Sequence, residues 1–120
     1  MFELIRERFR RGKSVTTDYP GVPAETPPLF RGMPSLDPSR CLGHAACANV
    51  CPTGALTVES EASGDWIWQL DRARCSACGA CADVCPTGAI AIDPRFELAS
   101  RTRADLVTTV RLRRAENEVT

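Results

Sequence analysis

Apolar and polar residues alternate in short segments of the central chain, a spacing that predicts β-strands. The segments are residues 55–59, 66–70 and 89–93. The first two flank a polar turn and therefore predict a hairpin, and Pro94 ends the third. Trp66 and Trp68 share one face of their strand, since side chains alternate with a period of two. We expect at least one of these indoles to pack in the core.

A helical spacing of apolar residues appears at the start of the chain. Phe2, Ile5 and Phe9 lie on one face of a predicted helix, and Gly12 follows as its stop. Residues 1–13 contain five positive and two negative charges, so the opposite face is basic. A short basic amphipathic helix of this kind suits either a partner subunit or an anionic membrane surface.

Two further segments flank the central strands. Residues 14–38 are rich in proline, which forbids a helix and favours an extended arm. The apolar Tyr19, Leu29 and Phe30 on this arm predict that it lies on another subunit. Leucines and valines among arginines over residues 96–114 predict a C-terminal helix.

All seven cysteines fall into two adjacent motifs. The second motif has the spacing C-x2-C-x2-C-x3-C-P, by which bacterial-type ferredoxins hold a cubane iron–sulfur cluster. The first motif has the same spacing, with His44 at the position of the second cysteine. The motif residues are Cys41, His44, Cys47, Cys51 and Pro52 in the first copy, and Cys75, Cys78, Cys81, Cys85 and Pro86 in the second.

The two motifs belong to a longer internal repeat. Asp37 and Asp71, Arg40 and Arg74, and the Pro-Thr-Gly-Ala segments at 52–55 and 86–89 recur at one constant offset. Two copies of a unit too small to fold alone predict packing about a pseudo-twofold axis. The predicted fold is α+β, a bacterial dicluster ferredoxin-like fold with an N-terminal helix and arm and a C-terminal helical tail. The corresponding boundaries are 1–34 for the helix and arm, 35–94 for the dicluster domain and 95–120 for the tail.

Disulfides and zinc are the alternative uses of these cysteines. An odd number of cysteines disfavours a disulfide framework. Zinc sites usually pair two separated C-x2-C knuckles rather than a closely spaced run that ends in Cys-Pro. The thiols therefore favour iron–sulfur clusters in a reducing compartment, most simply the cytoplasm.

Charge and motif content restrict the function. The net charge is zero, but residues 41–92 contain five acidic and two basic groups. The arginines are not interleaved with stacking aromatics, so nucleic acid is not an expected partner. The sequence contains no nucleophile–base set, phosphate loop or dinucleotide fingerprint, so we expect no catalytic residues and no enzyme activity of the chain on its own. No segment reaches transmembrane length, so any membrane contact is peripheral.

The sequence resembles the two-[4Fe-4S] ferredoxin subunits of formate hydrogenlyase and related membrane-bound hydrogenases and, more distantly, the homologous subunit of respiratory complex I. Besides the motifs, the resemblance includes the N-terminal helix, the Tyr19-Pro20 arm, residues 30–34, the strand at 55–59 and residues 96–99. His44 departs from it, since a cysteine is expected there.

The resemblance implies how two clusters are held. Cluster A would be ligated by Cys41, Cys47 and Cys85, with His44 as the candidate fourth ligand. Cluster B would be a [4Fe-4S] cluster ligated by the thiolates of Cys51, Cys75, Cys78 and Cys81. Two states of cluster A stay open: a [4Fe-4S] cluster with a histidine ligand, or a [3Fe-4S] cluster with His44 merely nearby.

The implied function is an electron relay between other subunits of a membrane-associated hydrogenase or complex I-like assembly. The chain would lie in the cytoplasm, peripherally on the cytoplasmic face of the inner membrane. One alternative is a free soluble ferredoxin that shuttles electrons to a monooxygenase or another reductase partner. The other is the ferredoxin-like subunit of complex I itself, the NADH-quinone oxidoreductase.

Overall fold

Two antiparallel sheets and two short helices frame the centre of the molecule. The computed structural model describes residues 2–11 and 18–113. The elements in chain order are α1 (Phe2–Arg11), β1 (Met33–Leu36), α2 (Ala46–Val50), β2 (Leu56–Ser60), β3 (Trp66–Asp71), α3 (Ala80–Asp83), β4 (Ile90–Asp93), a 3-10 turn (Arg103–Leu106) and β5 (Val107–Leu112).

The strands pair in two separate sheets. Strands β1 and β4 form a two-stranded sheet, and β3 lies between β2 and β5 in a three-stranded sheet. The three strands predicted from the alternating residues are confirmed, as is the hairpin that joins β2 and β3. Strand β1 begins at Met33, two residues before position 35, where the sequence places the start of the domain.

The strand registers repeat the offset seen in the sequence. Leu36 lies opposite Ile90 in the small sheet, and Leu70 lies opposite Leu56 in the larger one. Each residue of one pair is the repeat equivalent of a residue in the other, so the two halves pair their strands in the same way.

The apolar core is small and sits between the sheets and the two short helices. Its largest fully buried side chains are Trp68 and Leu70, joined by Leu56, Ile90 and Leu112. The expectation that one indole packs in the core is confirmed, because Trp68 is only 1% exposed. The other buried members of the core are alanines and cysteines, so apolar burial is modest.

The predicted C-terminal helical tail is wrong. Residues 107–112 form strand β5, which pairs antiparallel with β3 along its whole length. The run from Val107 to Val110 is β-branched, and such residues favour a strand. Strand β5 covers an edge of β3 whose backbone groups would otherwise be unpaired, and the Leu112 side chain is buried. Leu106, Val107 and Val110 have helical spacing, whereas Val110 and Leu112 have the period-two spacing of a strand, and pairing with β3 decides between them.

The proline-rich arm folds back on the chain's own C-terminal half. The Phe96 ring packs against both Tyr19 and Phe30, with ring centroids 6.0 and 6.3 Å apart respectively. The Tyr19 hydroxyl also donates a hydrogen bond to Glu97. These two aromatic residues therefore have a contact within the chain that the sequence did not predict, whereas Leu29 is 93% exposed. The contact of the arm with another subunit stays a prediction.

Helix α1 occupies the segment where the apolar spacing predicts a helix. Its apolar side chains stay exposed, including Phe2 at 87% and Phe9 at 82%. Within residues 2–11 and 18–113, no helix has the length and apolar character needed to cross a membrane.

Candidate metal centre

Each cysteine motif begins with a loop that contains two left-handed residues. In the first motif these are Gly43 at φ 72° and Ala45 at φ 55°, and in the second Ala77 at φ 53° and Gly79 at φ 83°. The chain reverses within a few residues at these positions and then enters α2 or α3. The small residues between the ligands allow the loop to wrap tightly around a central space.

One cavity is lined by Cys75, Cys78 and Cys81 of the second motif together with Cys51 of the first. The empty space between these residues is about 340 Å³, a volume that includes open solvent at the mouth of the cavity. Cys51 caps the C-terminal end of α2, which explains how it reaches the cavity of the other motif. The structure thus brings together the four residues that the resemblance implies for cluster B.

The matching cavity is lined by Cys41, His44 and Cys47 together with Cys85. The empty space between these residues is about 350 Å³, which again includes open solvent. His44 is exposed, and so is Cys78, its equivalent in the other repeat. The imidazole therefore occupies the ligand position at the solvent edge of its cavity.

The last cysteine of each motif is surrounded by hydrogen-bond donors. The amide of Ala55 donates to Cys51 Sγ at 3.3 Å, and the amide of Ala89 donates to Cys85 Sγ at 3.2 Å. Burial raises the pKa of each thiol, but hydrogen bonds from a nearby threonine hydroxyl and from backbone amides outweigh it, so both pKa values are lowered. The hydroxyls belong to Thr53 and Thr87, each 3.6 Å from the sulfur. These donors favour thiolate, the form that binds metal.

The cysteine at the third ligand position of each motif, Cys47 or Cys81, lies in a drier environment. Burial raises the pKa of the Cys81 thiol to about 11 and also raises that of Cys47. The nearby Trp68 indole lowers the pKa of Cys47, but the effect of burial is larger. The buried Nε1–H of Trp68 completes no hydrogen bond with an acceptor in the described residues.

The arrangement fits a cluster better than a single ion. No three His, Cys, Asp or Glu side chains of the described residues converge closely enough to hold one metal ion. The ligands instead surround two cavities with soft sulfur donors, the ligand type of iron–sulfur clusters. Backbone amides directed at the cysteine sulfurs suit the same group, since hydrogen bonds to cluster sulfurs tune its potential.

Comparison with known families agrees with this geometry. Residues 40–89 match the 4Fe-4S dicluster domain, a segment that includes both motifs. The fold and the site therefore define the class of protein: a small mixed α/β ferredoxin-like domain for iron–sulfur clusters.

Two particular relatives are subunits of a formate hydrogenlyase and of a dehydrogenase. The chain is 41% identical over 70 residues to formate hydrogenlyase subunit 6 of Escherichia coli. The aligned segment covers 58% of this chain and 38% of that protein. It is also 41% identical over 44 residues to F(420)H(2) dehydrogenase subunit I of Methanosarcina mazei, covering 37% of this chain and 25% of that one. The resemblance predicted from the sequence is confirmed by these relatives.

A solved structure extends the similarity beyond the motifs. A chain of the membrane-bound sulfane sulfur reductase, an archaeal respiratory membrane complex, superposes with a TM-score of 0.65 at 31% identity. The match covers 83% of this chain and 55% of that one. This chain covers 55% of the length of that solved chain, and 38% and 25% of the lengths of the two other relatives.

Two groups of functional residues were not predicted from the sequence. The threonines that contact Cys51 and Cys85 recur at the repeat offset, so the repeat itself was the available signal. The placement of the Trp68 indole in the same buried cluster as Cys47 had no such signal, because the repeat equivalent of Trp68 is Pro34.

Proposed function

We propose that this chain relays electrons through two iron–sulfur clusters within a membrane-associated oxidoreductase complex, and that it is not an enzyme on its own. The observation that supports this most directly is the pair of matched cavities. Each is lined by three ligand positions of one motif and the last cysteine of the other. When bound, the clusters supply one-electron redox chemistry.

The two short helices give the relay its internal path. Cys47 in α2 lines one cavity, and Cys51 at the end of the same helix lines the other. Cys81 and Cys85 repeat the arrangement around α3. Ligands of both clusters are thus only one helical turn apart, and electron transfer between them requires no proton transfer by side chains.

We assign cluster A to Cys41, His44, Cys47 and Cys85, and cluster B to Cys51, Cys75, Cys78 and Cys81. Cluster B has four thiolates and is assigned as [4Fe-4S]. For cluster A we favour a [4Fe-4S] cluster with a His44 ligand over a [3Fe-4S] cluster. The support is that His44 lines the cavity at the position where Cys78 lines the other one.

The surroundings of cluster A exclude water on its inner side. Leu36, Val58 and Ile90 line the inner wall of that cavity, and Leu36 and Ile90 face each other across the β1–β4 pair. The exposed side of the cavity, at His44, is where an electron enters or leaves, since transfer requires close approach of a partner's redox centre.

Membership of a complex is supported by the exposed end of the chain. Helix α1 presents Phe2, Leu4 and Phe9 to solvent, an apolar face that a freely diffusing carrier does not need. The named relatives are a formate hydrogenlyase subunit, a dehydrogenase subunit and a chain of a respiratory membrane complex. We therefore place the chain among such subunits, peripherally on the cytoplasmic face of the inner membrane, rather than as a soluble ferredoxin.

The helix can be tested without disturbing the clusters. Affinity purification of the tagged full chain from its native cells, with Phe9→Asp as the variant, should recover both clusters but lose the co-purifying membrane subunits. Arg10→Gln on the polar face is the matched control, because Arg10 pairs only with Glu7 of the same helix among the ion pairs of the described residues. Wild-type chain that purifies alone, with both clusters, would support the soluble carrier instead.

A further inference from the structure

The indole of Trp68 is a buried donor without an acceptor. Its side chain is 1% exposed on the central strand β3, between Val58 of β2 and Val110 of β5. Its Nε1–H makes no hydrogen bond within residues 2–11 and 18–113. Burying a donor unpaired is unfavourable, and a phenylalanine would fill apolar space without that penalty. An unpaired indole N–H in a core therefore points to an acceptor that arrives with a ligand.

The neighbouring sulfur supplies that acceptor. Trp68 and Cys47 belong to the same buried cluster of side chains, and Val58, which lies opposite Trp68, lines the cavity of cluster A together with Cys47. A neutral thiol is a weak acceptor, whereas a thiolate is charged and accepts much more strongly. Binding of iron converts the Cys47 thiol into a thiolate.

We propose that the Nε1–H of Trp68 donates a hydrogen bond to the Cys47 sulfur when Cys47 ligates cluster A, and that this bond raises the reduction potential of cluster A. This inference rests on the proposed function. A donor directed at a cluster sulfur stabilises the state with more negative charge, which is the reduced one. Trp68 acts through a ligand and so tunes the cluster without contacting iron.

The internal repeat offers no equivalent hydrogen-bond donor for cluster B. The repeat equivalent of Trp68 is Pro34, which lies opposite Ile92 in β1–β4 as Trp68 lies opposite Val58 in β2–β3. Pro34 lines the cavity of cluster B and has no side-chain N–H to donate. The hydrogen bond therefore acts on cluster A alone and separates the potentials of two otherwise matched sites.

The test is a redox titration of the cluster-loaded full chain, followed by electron paramagnetic resonance under anaerobic conditions. In Trp68→Phe we expect the affinity of cluster A for its electron to fall about tenfold, since one charge-assisted hydrogen bond is lost. For a one-electron couple that is a fall of about 59 mV. The potential of cluster B should not move.

Trp66→Phe is the matched control, because it removes an indole N–H from the same face of the same strand. The Trp66 ring lies against Gly43 and is only half-buried. We expect its effect on cluster A to be much smaller. An equal fall in both variants, or no fall in Trp68→Phe, would overturn the proposal.

A second measurement covers a Trp68→Phe chain that does not load cluster A. Trp66→Phe protein grown with tryptophan labelled with ¹⁵N at the indole contains one indole label, at Trp68. Pulsed resonance of the reduced protein should show coupling of that nitrogen to cluster A, and its absence would reject the hydrogen bond. Protein that contains no iron and sulfide at all would instead reject the proposed function.

Discussion

The guanidinium of Arg40 donates a hydrogen bond at 2.8 Å to the backbone carbonyl of Thr87, in the opposite repeat. The guanidinium of Arg74 likewise donates a hydrogen bond at 3.0 Å to the backbone carbonyl of Thr53. Each arginine also lies over the glycine that follows that threonine, where an added Cβ would be 3.1 or 3.2 Å from its Nη2 atom. The two halves therefore hold each other through one reciprocal pair of contacts, placed just after the last cysteine of each motif.

Replacing either arginine by alanine should lower the free energy of unfolding of the cluster-loaded protein. We expect a loss of about 1 kcal/mol for each variant, because each removes one hydrogen bond from a charged donor at a partly solvated site. Denaturant titration under anaerobic conditions measures it. Arg95→Ala serves as the control, since Arg95 pairs only locally with Asp93 in the described structure. Equal effects of all three variants would contradict a special role for the reciprocal pair.

Gly43→Ala should destabilise the first motif more than positive φ alone explains. Its repeat equivalent, Ala77, already adopts φ 53°, so an alanine is tolerated in that conformation. At Gly43, however, a Cβ would lie 2.9 Å from the Trp66 indole. We expect a cost of about 1–3 kcal/mol from this overpacking, in addition to the backbone strain.

Gly64→Ala is the control for that strain. Gly64 has φ 87° and open space around it, so alanine there should cost only about 1–2 kcal/mol. Unfolding of both variants by denaturant separates the two contributions. If Gly43→Ala is no less stable than Gly64→Ala, the contact with Trp66 is not limiting.

Substitutions of His44 test whether the proposed cluster A has a histidine ligand. If the imidazole ligates iron, His44→Cys should keep a [4Fe-4S] cluster with a shifted signal and a lower potential, because an anionic thiolate replaces a neutral ligand. His44→Ala should lose the fourth iron. Resonance spectroscopy of the anaerobically purified protein distinguishes these states. An oxidised [3Fe-4S] signal at full occupancy in the wild type, unchanged in His44→Ala, would show that His44 is not a ligand.

The sequence predicted the central fold because its ligands follow one another closely. Spacing alone specified two motifs, the offset gave their repeat, and alternation gave β2, β3 and β4. These features are local, so they depend little on the rest of the chain. The ligand sets remain proposals, although the cavities bring the expected residues together.

The errors concern contacts between distant segments. The segment around Val110 satisfied two periodicities, and only the open edge of β3 favoured the strand. Tyr19 and Phe30 find Phe96 more than sixty residues away, which no local pattern indicates. No sequence pattern placed the Trp68 indole in the same buried cluster as Cys47, because that depends on how distant segments pack together.

Metal and sulfide analysis of the anaerobically purified full chain tests the central claim most directly. We expect about eight iron atoms and about eight acid-labile sulfides per chain when both clusters are complete cubanes. Removal of the iron by a chelator should also unfold the domain, since the clusters replace most of a hydrophobic core. A content of seven iron atoms would indicate a [3Fe-4S] cluster A within the same account. Stoichiometric zinc without sulfide would contradict the electron relay altogether.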